Sequence, residues 1–144
     1  MEFGKRVCFG VRTSPYFYSG YVYIDARKST SKVVFGDNVK VNNNCSFISE
    51  GDGIFIGRSS LIGTSCEFID SDFHALDPDQ RKGGLANADR VTIGENVFIG
   101  SSVKVLKGVT IGKNSVIANG SIVTRSIPDN VVAGGVPAKV IRKL

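Results

Sequence analysis

No tryptophan occurs in this chain of 144 residues, and methionine and histidine occur once each, beside four prolines and three cysteines. Cys8, Cys45 and Cys66 are odd in number and show no CxxC spacing, which excludes a disulfide framework. With a single histidine they also lack the spacing of a zinc site, so no metal is expected. No apolar run approaches the roughly 20 residues that cross a bilayer, and "MEFGKRVCFGVRTSPYFY" at the start holds no stretch of signal-peptide length. A cytoplasmic protein without membrane insertion is the expectation. The basic residues form no dense run with interleaved aromatics, which argues against nucleic acid. The net charge of +5 still invites an anionic partner, and a phosphate-bearing small molecule fits it.

Glycine and aliphatic residues are what the chain has in quantity. Hydrophobic content of 42% over this length suits one globular domain, 1–144. Ile93, Ile99, Val105, Ile111, Ile117 and Val123 recur every six residues without a miss. Four positions after each stand Val97, Val103, Val109, Ser115, Ser121 and Ile127, small or β-branched residues. Gly94, Asn96, Gly100, Gly108, Gly112, Asn114 and Gly120 lie between, the types that tolerate left-handed backbone at corners. An amphipathic helix needs spacings of three and four, which are not kept. The pattern is one short strand plus a turn, and three such units per coil stack into an all-β parallel solenoid.

The period also runs through Phe35, Val41 and Phe47, then restarts three residues out of phase at Ile56, Ile62 and Phe68. "SEGDG" (49–53) is the natural site of that insertion. Cys45 and Cys66, 21 apart, then stack as small core residues in adjacent coils. Both ends need covers. "GVPAKVIRKL" predicts a short capping helix over 136–144, begun at Pro137. In the N-terminal cap (1–30), "PYFYSGYVYID" alternates about Ser19–Gly20, which predicts a capping hairpin, or else a stacking platform for a sugar ring.

The runs "VVFGDNVKVNNNCSFISEGDGIFIGRSSLIGTSCEFIDSDFH" (33–74) and "VTIGENVFIGSSVKVLKGVTIGKNSVIANGSIVTRSIPDNVVAGGVPAKVIRKL" (91–144) together resemble the hexapeptide-repeat acyltransferases. Within that group they look like the galactoside, maltose and capsular-polysaccharide O-acetyltransferases. The first 30 residues do not match the N-terminal segment of the maltose-type enzymes. The resemblance implies a left-handed parallel β-helix, a homotrimer, and acetyl-CoA in a groove between subunits.

The single histidine gains its meaning there. Phe68 to Ile93 is 25 residues, not a multiple of six, and the mostly polar 72–90 reads as a loop thrown out from one corner. In the family this loop carries the catalytic histidine, and His74 is the matching position. Moving an acetyl group from a thioester to a hydroxyl requires a proton to leave a weakly acidic alcohol, and imidazole suits that task near neutral pH. No acyl-enzyme is needed.

The resemblance supplies the other roles. The backbone N–H of Ser101 serves the oxyanion. Asn43 as the closest match, or else Asn44, meets the acceptor sugar, and Asp70 or Asp72 orients the imidazole or binds acceptor hydroxyls. Thr124, Arg125, Lys139 and Arg142 bind CoA, while Ala118 and Asn119 offer main-chain groups to its pantetheine arm. The expected activity is O-acetylation of a sugar or polysaccharide precursor. N-acylation of an amino sugar and a noncatalytic scaffold remain as alternatives.

Overall fold

A computed structural model describes residues 1–144. The six-residue period folds into three parallel faces. The first stacks Glu2–Phe3, Val33–Phe35, Ile54–Ile56, Val91–Ile93 and Thr110–Ile111. The second stacks Cys8–Phe9, Lys40–Val41, Leu61–Ile62, Phe98–Ile99, Val116–Ile117, Val131–Gly135 and finally Ala138–Lys143. The third stacks Tyr23–Ala26, Ser46–Ser49, Glu67–Ile69, Lys104–Val105 and Ile122–Val123.

Register follows directly from the repeat. Ile93 pairs with Ile111 and Ile99 with Ile117, one 18-residue coil apart. Every inward aliphatic therefore lands on another, and the column from Val33 to Ala138 is one continuous buried core. Each such Ile or Val stabilises the fold by about 1.5–3 kcal/mol relative to exposure. At the N-terminal end the column turns aromatic: Phe47 stacks on Phe68 at 4.7 Å between ring centroids, and Phe3 stacks on Phe35 at 5.6 Å.

Both breaks in the period prove to be insertions at the third corner, which follows the third face. Phe35 pairs with Ile56, three residues beyond a regular coil, and the excess sits at 50–53. Ile56 pairs with Ile93, and that larger excess is the 70–90 loop. Cys45 and Cys66 are buried in adjacent coils as expected, donating to the carbonyls of Gly63 (3.1 Å) and Gly100 (3.0 Å). The adjacent Cys45 thiol, then burial, raises the Cys66 thiol pKa well above its ordinary value. Such a thiol is no nucleophile.

Two end assignments need correction. The C-terminus is not a helix: Ala138–Lys143 runs antiparallel to Val131–Gly135, and the Leu144 N–H donates to the Asn130 carbonyl at 2.8 Å. Nine residues are too few to sustain a helix, whereas the last strand of the solenoid presents an unpaired ladder that the tail satisfies. Nor is the N-terminus a hairpin. Glu2–Phe3, Cys8–Phe9 and Tyr23–Ala26 form a complete first coil, parallel to the second. The alternation in 16–23 misled because Tyr23–Ala26 finds a full-length parallel partner in Ser46–Ser49, and residues 11–20 bulge from the second corner.

Candidate active site

The extruded loop is closed at its neck. The Asp72 N–H donates to the Asn87 carbonyl at 2.9 Å, the Asp89 N–H to the Asp70 carbonyl at 2.9 Å, and Ser71 bridges Ala88. Under the neck Asp70 is fully buried. Its carboxylate accepts from the Ser49 hydroxyl (2.7 Å) and from the N–H groups of Glu50 (2.7 Å), Gly51 (3.1 Å) and Gly53 (2.9 Å). These donors form a nest for the anion, and Asp70 thereby fixes the 50–53 insertion to the loop base. Gly53 is required there: its φ is 111°, and a Cβ would come within 2.9 Å of the Lys32 carbonyl oxygen. Asp70 is thus corrected from acceptor binding to holding the loop, since no part of it reaches the surface.

Past the neck the chain turns sharply. Phe73 takes a φ of 60°, uncommon for a bulky residue, with its N–H held by the Ser71 hydroxyl at 3.0 Å. The Arg27 guanidinium lies 5.1 Å from the Phe73 ring centroid. Arg27 is itself gripped by Asp25 (2.8 Å) and Glu50 (2.9 Å), and its hydrogen bond lowers the Asp25 pKa below the ordinary value. Ala75, on the far side, is buried. His74 stands exposed between these anchors, on an open cavity of about 590 Å³ that it shares with Pro78, Asp79, Arg81 and Lys82. Sequence reasoning missed Arg27 because its only signal is contact across 46 positions.

Asp72 makes no hydrogen bond to His74. It pairs with Lys107 at 3.4 Å and lines a cavity of about 380 Å³ with Ser71, Phe73 and Thr124. Thr124 also joins Arg125, Pro137, Ala138 and Lys139 around a cavity of about 290 Å³. The loop base, Thr124 and Arg125 are therefore contiguous along the third corner, and Lys139, from the last strand of the second face, lines the cavity beside them. Arg142 does not line either cavity; it stands opposite Val132 in the terminal ladder.

The remaining candidates stack on the second corner. Asn43 is buried, and its carboxamide is committed to the 11–15 bulge: it accepts from the Val11 N–H (3.0 Å) and donates to the carbonyls of Val11 (2.9 Å) and Pro15 (2.8 Å). Asn44 instead lies at the surface, with φ of 61° and a weak bond to Ser65 at 3.2 Å. Asn43, expected at the acceptor, is thus engaged inside the fold, whereas Asn44 presents its side chain at the surface. Both main-chain groups of Ala118 are taken, its N–H by the Ala133 carbonyl (2.9 Å) and its carbonyl by the Ser121 hydroxyl (2.6 Å). The Ser101 N–H donates to Asn119 Oδ1 at 2.8 Å. One chain consequently keeps His74 and the Ser101–Asn119 pair on different corners of the triangular section.

Comparison with known proteins agrees with this architecture. Residues 90–125 match the family model described as bacterial transferase hexapeptide (six repeats). A galactoside O-acetyltransferase of Lactococcus lactis subsp. lactis is 42% identical over 143 residues, which is 99% of this chain and 63% of the relative. The likeness thus includes the first 30 residues, while the chain spans somewhat under two thirds of that relative's length. Among solved structures, a maltose O-acetyltransferase of Clostridium difficile 630 superposes with a TM-score of 0.81 at 30% identity, covering 99% of this chain and 70% of the other. A hexapeptide-repeat acetyltransferase of Vibrio cholerae complexed with acetyl coenzyme A gives 0.80, also at 30% identity, over 99% of this chain and 70% of that one. With a left-handed parallel β-helix, and with these relatives matched over nearly its whole length, the chain belongs to the hexapeptide-repeat acyltransferase family.

Proposed function

We propose that the protein is an acetyl-CoA-dependent O-acetyltransferase acting on a hydroxyl of a saccharide, with His74 as general base. The observation that carries this reading is the third corner. There the base of the His74 loop adjoins the cavities of Thr124, Arg125 and Lys139, a cationic slot next to the loop that carries the base. The acetyl-CoA bound to the Vibrio cholerae relative supports the donor, and the galactoside and maltose names of the relatives support a sugar acceptor.

The chemistry balances without a metal or an acyl-enzyme. An imidazole nitrogen of His74 takes the proton of the acceptor hydroxyl as its oxygen attacks the thioester carbon. The oxyanion is received by the Ser101 N–H. Collapse breaks the C–S bond, and the proton passes from His74 to the departing sulfur, leaving a sugar acetate and CoA thiol. Asn44 holds the acceptor, and the main-chain groups of Asn119, which have no partner within the chain, serve the pantetheine arm. Thr124, Arg125 and Lys139 hold phosphates, with Arg142 further along the same strand as Lys139.

Because His74 and Ser101 lie on different corners, a complete site requires two copies, one lending each corner; we read this as a homotrimer. Leu61 and Phe98, paired on the outward side of the second face and 43% and 49% exposed, supply apolar surface for such contact. Light scattering should give three times the chain mass. Arg125→Ala and Lys139→Ala should each weaken acetyl-CoA binding by about tenfold, the value of one charge-assisted hydrogen bond. The loss should shrink in 0.5 M salt, where screening already weakens the contact. Binding unchanged in both variants would move the phosphates elsewhere.

A further inference from the structure

The Ser101 N–H, the donor that the proposed reaction needs, is already occupied: Asn119 Oδ1 accepts from it at 2.8 Å. Similar staples recur at other corners. The Lys5 N–H is held by Asp37 Oδ1 (2.6 Å), that of Lys113 by Asp129 Oδ1 (3.0 Å), and that of Val11 by Asn43 Oδ1 (3.0 Å). Asn119 differs from the two aspartates in charge and from Asn43 in exposure and in number of bonds. Asp37 and Asp129 are carboxylates, which bind an N–H more firmly than a neutral amide does. Asn43 is buried and fixed by several bonds, whereas Asn119 is exposed. The Asn119 side chain makes this one bond and no other, its Nδ2 having no partner in the chain. It is the staple most easily opened.

Gly100 frames the same spot. A Cβ there would come within 2.8 Å of the Asn119 nitrogen and collide with its side-chain oxygen. The two coils approach closely where the carboxamide crosses, as they do at other glycine corners. A carbonyl oxygen approaching the Ser101 N–H must take the place of Oδ1, since a single N–H has one good acceptor direction.

Building on the acetyltransferase reading, we infer that the Asn119 side chain is a displaceable stand-in for the thioester carbonyl. It occupies the oxyanion donor between turnovers and yields it only to a ligand that carries a thioester carbonyl at the end of the arm. CoA, which has no thioester carbonyl, leaves the staple closed; acetyl-CoA opens it. Asn119 is therefore a specificity-determining residue: it subtracts one neutral hydrogen bond from acetyl-CoA affinity and nothing from CoA affinity.

The test is titration calorimetry of acetyl-CoA and CoA into wild-type, Asn119→Ala and Asn119→Asp proteins, with turnover measured on the same samples. For Asn119→Ala, acetyl-CoA should bind about threefold to tenfold more tightly, and CoA should be unchanged. For Asn119→Asp, which keeps the acceptor and adds a charge at the position of the oxyanion, acetyl-CoA affinity and turnover should both fall while CoA affinity holds. Should the alanine variant fold poorly, the aspartate variant carries the comparison alone. Parallel shifts for the two ligands, or no shift for either, would show an ordinary corner staple and overturn this inference while leaving the acetyltransferase reading intact. A wild-type protein that binds neither ligand overturns both.

Discussion

His74→Ala is expected to lower acetyl transfer by about 10² to 10⁴-fold, the range associated with a positioned general base. The loss should fall on kcat, with acetyl-CoA affinity unchanged, because His74 lines none of the cavities that hold Thr124, Arg125 and Lys139. Stability should not change: the side chain is exposed and makes no hydrogen bond within the chain. Those three readouts together separate a base from a structural residue, which would move the melting temperature and spare the rate per folded molecule. Added imidazole should restore part of the activity, since the loop leaves an open cavity where the ring stood. A variant with turnover near wild type would remove His74 from the mechanism.

Asp70→Ala should be the most destabilising single change in the loop region. It strands the N–H groups of Glu50, Gly51 and Gly53 and the Ser49 hydroxyl, all of which now point at one fully buried carboxylate. An unsatisfied buried donor costs about 1–3 kcal/mol, and partial relaxation of the nest brings the expected total to about 3–5 kcal/mol. A fall in melting temperature of roughly 10 °C or more follows for a chain of this size. Asp70→Asn should cost less but still measurably, because it turns one acceptor into a donor facing other donors. Asp72→Ala is the control: Asp72 pairs only with Lys107 at 3.4 Å on a partly open surface, and stability should move by under about 1 kcal/mol. Equal melting temperatures for the Asp70 and Asp72 variants would contradict the role given to the nest.

The solenoid was legible because its determinants are local and repeated. Ile93, Ile99 and Ile111 each state the same inward position, and the three-residue phase shift before Ile56 announced the insertion now seen at 50–53. What failed were positions whose conformation is decided by the strand they pair with rather than by their own pattern. Pro137 and the apolar residues after it match a helix start, yet the open ladder of Val131–Gly135 decides their conformation. Tyr23–Ala26 alternate like a hairpin arm, but the strand 23 positions onward is the better partner. Within the site, the residue types were readable and their burial was not. Asn43 and Asn44 are chemically identical neighbours, separated only by a turn that buries the first and exposes the second. Asp70 and Asp72 differ in the same way. Arg27 left no trace in the sequence, since its contact with Phe73 exists only once the first and third coils are stacked.

Binding of the donor is the most direct measurement. Acetyl-CoA titrated into the purified protein should saturate near one site per chain, and dephospho-CoA should bind more weakly if Lys139 and Arg142 meet the 3′-phosphate. A folded, associated protein that gives no saturable signal with acetyl-CoA would contradict the assignment of the third corner as a donor site and leave the solenoid without a proposed substrate.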